Sequence, residues 1–350
     1  MENNAKKVPV QFVTHSGKFH ADEAMGTAIL SAWYNIALEG TFEPKIIRTN
    51  DPSPYVDDNI SVIYDIGGGC FDHHQKGGNG VRENGIPYAS AGLLWVEYGR
   101  GVVYSILEKN SPEGMSEEDF SELVNGVKGY VDQFLIQGID AVDNGAVTTT
   151  TDPAVAITSI SDMVSNMNQK SMWNVGADAD ARFLDAVDLC ASALLYAIEK
   201  AADVLVAQKQ VNDAIHGRKY KRVLVLEKYM PWIGTLLSNE EAADIWYCIF
   251  PSARNEGHWQ MQAVPVASAS FEQRHPVPTE WWGATAATMP AITGVADANF
   301  CHKSGFLSGA GSFDGAMELA RLACADGDPY KEELELYVPA SSTTSEYKEV

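Results

Sequence analysis

The first seventy or so residues constrain the fold most. Residues 8–13 (VPVQFV) form an apolar run of strand length. From Asp22 onward the apolar positions change period: Ala24, Met25, Ala28, Ile29, Ala32, Trp33 and Ile36 recur at helical spacing. Asp22 and Glu23 suit the first turn of that helix. Residues 44–51 (PKIIRTND) then read as strand and loop, and residues 60–69 (ISVIYDIGGG) as a strand ending at Asp65 before a glycine turn. Strands alternating with a long helix predict an α/β fold, a mostly parallel sheet flanked by helices. In such sheets ligands gather beyond the carboxyl ends of the strands. His15, Asp51 and Asp65 all fall at that expected edge.

Two histidine clusters lie there as well. The first is THSGKFHADE (residues 14–23), where the strand hands over to the helix; the second is FDHHQ (residues 71–75), just after the glycine turn. Four of the chain's 8 histidines are in these two places, each beside aspartate. Imidazole and carboxylate together suit Mn²⁺, Zn²⁺ or Fe²⁺, and aspartate-rich sites also accept Mg²⁺. His15, His20, Asp22, Asp65, His73 and Asp143 can together hold two ions with one carboxylate bridging. Such a pair serves in-line phosphoryl hydrolysis, one ion activating water and the other stabilising charge on phosphorus. Singly, each signal has a plainer reading. Asp65 before two glycines suits a turn, Asp143-Asn144-Gly145 is a turn sequence, and a lone His-His pair need bind nothing. Their joint placement at strand ends carries the metal reading.

The 350 residues suffice for two domains. The glycine-rich segment GGGCFDHHQKGGNG (67–80) reads as loop and precedes an expected helix at 89–98, and another helix is expected from Ser111-Pro112 through Asp140 and Asp143. Residues 148–151 and 165–180 read as exposed connection, so the boundary is placed at 180. Residues 8–180 then form the metal-binding domain, 181–335 a smaller α+β domain, and 336–350 a disordered tail. The second domain begins with a long helix from Phe183 to about Ile215 that ends in HGRKYKR (216–222). Expected strands follow in VLVLEK, ADIWYCIF and WQMQAVPVA, with a closing helix over 314–325.

A formal net charge of −22 counts against a broad, sequence-independent grip on nucleic acid, though not against a small phosphate site. The 5 cysteines are scattered without a CxxC pair, which argues against a disulfide framework or thiolate zinc site. No apolar run is long enough for a bilayer, and the N-terminal residues lack a signal-peptide core. The expectation is a soluble intracellular protein in cytoplasm, nucleus or mitochondrion, with no membrane partner and an oligomeric state left open. No nucleophile elbow or HExxH helix is present to support protease chemistry.

In order and spacing these motifs resemble the DHH phosphoesterase superfamily, which includes RecJ exonucleases, oligoribonucleases and manganese-dependent pyrophosphatases. HSGKFHADE, YDIGG, FDHHQ, SAGLLWVEYG, IDAVDNG, WQMQAVPV, SFEQRHPVP and CHKSGFLSG closely resemble one subfamily over residues 10–325. It is the melanocyte-proliferating-gene family, described as a metal-dependent protein hydrolase and as a 3′–5′ RNA exonuclease. The resemblance implies a DHH-type catalytic domain with His15, His20 and Asp22 as first-motif ligands, Asp65 as the bridge, and His73 and Asp143 as further ligands. His20 stands where the superfamily usually has an acid. His74 would contact phosphate in the transition state, with Asp72 orienting it. Asp140, one helical turn from Asp143, competes for the last ligand position. In the C-terminal domain Arg274, His302 and Lys303 are the candidate substrate contacts. Ala310 stands where the family has a histidine, which bears on substrate choice rather than on the metals.

Two divalent ions are therefore expected, Mn²⁺ first and Mg²⁺ as the alternative. The expected activity is metal-dependent phosphodiester hydrolysis, as a 3′–5′ exonuclease on single-stranded RNA or short oligonucleotides. Two alternatives are a pyrophosphatase-like enzyme acting on small phosphate compounds and a non-catalytic metal-binding interaction protein.

Overall fold

The computed structural model describes residues 8–37, 42–109, 115–146, 157–168, 178–268, 270–325 and 334–336. The expected connection at 148–151 and nearly all of the expected tail lie outside them. The chain divides into two compact units, one ending at Ala202 and the other beginning at Asp203. The expected boundary at 180 falls near the start of a helix, α6 (Ala179–His216), that runs through the division.

The first unit is built on strands β1 (Val8–His15), β2 (Phe42–Thr49) and β3 (Ser61–Ile63). They form a parallel sheet in the order β2-β1-β3. β1 is central, so both its faces are covered: Val10, Phe12, Val13 and Thr14 are all buried. This is why residues 8–13 read as a continuous apolar run. Helix α1 (Ala21–Ala37) connects β1 to β2 and packs on α2 (Ser90–Glu108). That packing is close enough that a side chain on Gly101 would run into the ring of Trp33. Helix α3 (Glu117–Val131), capped by Ser116, continues through a π-helical turn at Asp132–Ile136 into α4 (Gln137–Asp143). Helix α5 (Ile160–Met167) has a capping box between Ser159 and Asp162. It overlaps the connection expected from 165, because Val164 is buried and its first turn is capped.

The second unit carries a mixed sheet of β4 (Val223–Val225), β5 (Tyr247–Pro251), β6 (Trp259–Ala263), β7 (Ala298–Cys301) and β8 (Leu307–Ala310), in the order β4-β5-β6-β8-β7. Side-chain alternation sends Tyr247 and Ile249 to one face and Cys248 and Phe250 to the other. The first face packs on Leu319 and Ala320 of α9 (Phe313–Cys324). The second packs on Val211 and Ile215 of α6 and Leu236 of α7 (Ile233–Ser238). A short helix α8 (Met289–Thr293) leads towards β7. β7 and β8 are not legible in the sequence; antiparallel pairing of β8 with β6, and of β7 with β8, imposes the conformation on residues such as Ser308, Gly309 and Ala310. No helix among the described residues is long and apolar enough to cross a membrane.

Candidate metal centre

The carboxyl ends of β1 and β3, the start of α1, the loop after β3 and the end of α4 meet at one place in the first unit. β1 ends at His15. Its Nδ1 lies 3.2 Å from the Ser16 carbonyl, so Nδ1 carries the proton in the neutral ring. Nε2 then faces Glu23 Oε1 at 2.9 Å and Asp65 Oδ2 at 3.2 Å. Asp65 has a left-handed backbone, φ 58°, which aspartate tolerates better than most residues. Its other oxygen, Oδ1, is 3.5 Å from His73 Nδ1 and 3.3 Å from His74 Nδ1. The two oxygens of Asp65 therefore face two different sets of imidazoles.

His73 is buried, with Nε2 3.0 Å from Asp143 Oδ2. Its Nδ1 is 3.8 Å from Asp22 Oδ2 and 3.3 Å from the Ser90 hydroxyl. His20 is half-exposed and lies 3.8 Å from Asp143. His74, also exposed, stacks on His73 with ring centroids 4.2 Å apart. Asp72 accepts the His74 amide at 2.9 Å and the Gly68 amide at 2.7 Å, and its Oδ1 meets the His74 ring at 3.0 Å. It thus holds both the loop and the imidazole. These amides keep the Asp72 carboxyl below its ordinary value despite its burial.

Helix α2 organises the carboxylates. Ala89 at its N-cap has no side-chain oxygen to offer, so the first amides of the helix need other acceptors. The Ser90 and Ala91 amides donate to the two oxygens of Asp22, at 3.0 and 2.7 Å. The Gly92 amide donates to Asp140 at 3.0 Å. The positive end of the helix dipole thus draws in carboxylates from α1 and α4. Arg82 pairs with Asp140 at 2.7 Å and bidentately with Asp132 of the π-helical turn. The sequence leaves Asp140 and Asp143 in competition; the structure turns Asp140 towards Arg82 and α2 and Asp143 towards His20 and His73.

Three groups of donor atoms lie within ligating reach of one another: Asp65, Asp72, His73 and His74; His15, His20 and Glu23; and Asp22, His73 and Asp143. Burial, then repulsion from Asp65 and Asp143, pushes the Asp22 carboxyl well above its ordinary value. Burial likewise raises Glu23. His15 is pushed up to about 10 by Asp65 first and Glu23 second. Burial works against a charged His73, yet Asp143 and Asp65 raise it. Without a cation, the cluster holds protons to offset its own negative charge. The adjoining cleft, about 520 Å³, is lined by His20, Asp22, His73, His74, Asp143 and Asp162 among others, with no Lys or Arg among the described residues. Buried carboxylates interleaved with imidazoles fit a divalent cation.

The remaining sequence candidates have the following local partners. Asp51 is exposed, its carboxylate taken by Ser53. Arg274, in the second unit, donates Nη1 to the carbonyl oxygens of Ala242, Ala243 and Ile245. His302 and Lys303 sit on the β7–β8 turn, where His302 Nδ1 accepts the Ser304 amide. Ala310 is buried on β8. In the basic stretch, Arg218 is buried against the Ile215 and Glu241 carbonyls and Asp244. Sequence reasoning missed Glu23, Ser90 and Arg82 as members of this centre. The one available signal was the uncapped start of α2, which demanded acceptors from outside the helix.

The fold and the site together define an α/β protein with a histidine–carboxylate cluster, suited to divalent cations, at the edge of a parallel sheet. The chain matches the model of the MYG1 family, described as an uncharacterised protein family (UPF0160), over residues 11–324, and it belongs to that family. It is 31% identical over 333 residues to the MYG1 protein of Schizosaccharomyces pombe, covering 90% of this chain and 97% of that one. It is 28% identical over 343 residues to a human protein named MYG1 exonuclease, covering 91% of this chain and 86% of the human one. The mouse MYG1 exonuclease is 28% identical over 347 residues, with 92% of this chain and 87% of the mouse protein covered.

Proposed function

We propose that this protein is a divalent-metal-dependent phosphodiesterase of the DHH type, a 3′–5′ exonuclease acting on single-stranded RNA or short oligonucleotides. The observation that carries this reading is the meeting of Asp22, Asp65 and Asp143 with His15, His20 and His73 at the strand ends, beside a cleft that among the described residues is lined by no Lys or Arg. A phosphodiester entering so acidic a place needs cations to receive it. The exonuclease name of the mammalian relatives supports the same reading.

In this reading Asp65 bridges two positions, because its two oxygens face different imidazoles. His15 and His20 serve the first, and Asp22, His73 and Asp143 the second. Cations held by these residues would supply neutralisation of phosphate charge and a more acidic water. The His74 Nδ1–H donates a hydrogen bond to Asp72 Oδ1, and in the doubly protonated ring Nε2–H is the donor available to a phosphoryl oxygen. Asp72 fixes that orientation through the loop amides it holds. His302 and Lys303 are the substrate contacts assigned to the second unit, while Arg274, engaged by three carbonyls, shapes its loop.

The test uses chelator-treated protein reloaded with Mn²⁺ and short single-stranded RNA labelled at the 3′ or 5′ end. Asp65→Asn is the control, since asparagine also tolerates the left-handed backbone at this position. Stepwise shortening that releases the 3′ label first, and at least a hundredfold loss in the variant, are expected. Absence of cleavage by protein that has bound metal would refute the nuclease reading and direct attention to small phosphate esters.

A further inference from the structure

Glu23 is the third residue of α1 and is fully buried. Its Oε2 accepts the amide of His20 at 2.9 Å, as the acid of a capping box does. That role accounts for one oxygen only. It requires neither a charge nor burial, and a glutamine would fill it equally well. The second oxygen, Oε1, is also buried and faces His15 Nε2 at 2.9 Å, a nitrogen that offers it a proton only when the ring is charged. Leaving a buried carboxylate oxygen unmatched is costly, so its surroundings need a reason.

Those surroundings are ligand atoms. With the His15 Nδ1 proton directed at the Ser16 carbonyl, Nε2 of the neutral ring presents a lone pair. That lone pair faces Glu23 Oε1 at 2.9 Å and Asp65 Oδ2 at 3.2 Å. The His20 ring supplies a further nitrogen within 4.8 Å of the donor atoms of His15 and Glu23. Converging lone pairs repel one another until a positive charge sits between them. A proton on Nε2 supplies that charge in the metal-free protein, but one N–H cannot satisfy two carboxylates well. A cation can accept all of these donors at once.

We infer that Glu23 Oε1 is a direct ligand of the first cation, completing a position made by His15, His20 and the bridging Asp65. Without Glu23 that position would hold two neutral imidazoles and a single carboxylate shared with the second ion. With it, the position carries a carboxylate of its own. Two nitrogens and two oxygens then favour Mn²⁺, Fe²⁺ or Zn²⁺ over Mg²⁺. Glu23 thus has two jobs, one oxygen capping the helix that carries the site and the other entering the site.

This inference rests on the metal-dependent reading above, and the experiment separates the two. Chelator-treated full-length protein is titrated with Mn²⁺ alone, and free ion is counted by the electron paramagnetic resonance signal of aqueous Mn²⁺. Wild type is compared with Glu23→Gln, whose amide oxygen still accepts the His20 amide. The variant is expected to fold cooperatively in metal-free buffer, because the amide oxygen keeps the cap and Asp65 still faces His15. It should lose one equivalent of Mn²⁺ or bind it at least tenfold more weakly. Unchanged stoichiometry and affinity would overturn the inference and leave Glu23 as a cap. A wild type that binds no Mn²⁺ would overturn the metal reading itself. If Glu23→Gln does not fold, Glu23→Asp decides: it keeps the charge but withdraws it by one methylene, and wild-type Mn²⁺ affinity in it overturns the inference.

Discussion

Replacing Arg82 by methionine should unfold the neighbourhood of the site in a pH-dependent way. Arg82 is 8% exposed; its guanidinium joins Asp132 at 2.9 and 2.7 Å and Asp140 at 2.7 Å, and it lies over the Tyr88 ring. Asp140 is 0% exposed, and the Gly92 amide would be its main remaining donor. Breaking a buried ion pair from one side costs about 3–5 kcal/mol, against a typical total stability of about 5–15 kcal/mol. Burial already lifts the Asp140 carboxyl from its ordinary 3.8 to about 7, with Arg82 pulling the other way. An acid whose folded value lies above its unfolded one stabilises the fold fully below the unfolded value. That contribution is lost as pH rises through the folded value. Removing Arg82 raises the folded value further. The deficit of Arg82→Met should therefore be full at pH 8, where wild-type Asp140 is ionised and paired. It should shrink by pH 5, where the carboxyl is protonated in both proteins. Native-state hydrogen exchange on peptides covering the start of α2, in metal-free protein at both pH values, measures the local opening free energy. A deficit below about 1 kcal/mol at pH 8, or a larger one at pH 5 than at pH 8, would refute this account of the network.

Gly92→Ala should destabilise the same corner by about 1–3 kcal/mol, because its new methyl would lie 2.8 Å from the Asp140 carboxyl carbon and 2.9 Å from Tyr88; thermal melts against wild type measure it. Mn²⁺ uptake at pH 7.5 should release about one proton from His15, whose metal-free value of about 10 keeps it charged there. Calorimetry in buffers of different ionisation enthalpy reads this directly, and apparent Mn²⁺ affinity should rise with pH between 7 and 9. A buffer-independent enthalpy would contradict the protonated imidazole. Saturation with Mn²⁺ at about a hundred times its dissociation constant should stabilise the chelator-treated protein by about 2.7 kcal/mol per ion, seen as a rise in melting temperature.

Much of the first unit is legible because its signals are local. The apolar run at 8–13 lies in a strand whose Val10, Phe12 and Val13 are buried, and the helical period from Asp22 marks α1. The glycines after Asp65 mark a loop, and the alternation of these pieces calls for parallel pairing. The order of His15, His20, Asp22, Asp65 and His73 along the chain is likewise a sequence property, as is their proximity to strand ends. β7 and β8 are not legible, because residues such as Ser308, Gly309 and Ala310 have little preference for strand and take it from pairing with β6. Nor is α5 fully legible: its capping box is local, but its stability comes from burying Val164.

The sequence by itself determined which residue types stand at which strand ends, because strand and helix periods are set by the spacing of apolar side chains along the chain. Only the tertiary structure decided which carboxylates turn inward. Asp140 and Asp143 lie three residues apart on one helix, yet Arg82, fifty-odd residues earlier, and the Gly92 amide claim the first, while His20 and His73 meet the second. Glu23 reads as an ordinary first-turn acid until His15 is seen 2.9 Å from its buried oxygen. The direction of a carboxylate depends on the donors and charges brought to it by distant parts of the chain, and no local spacing encodes them.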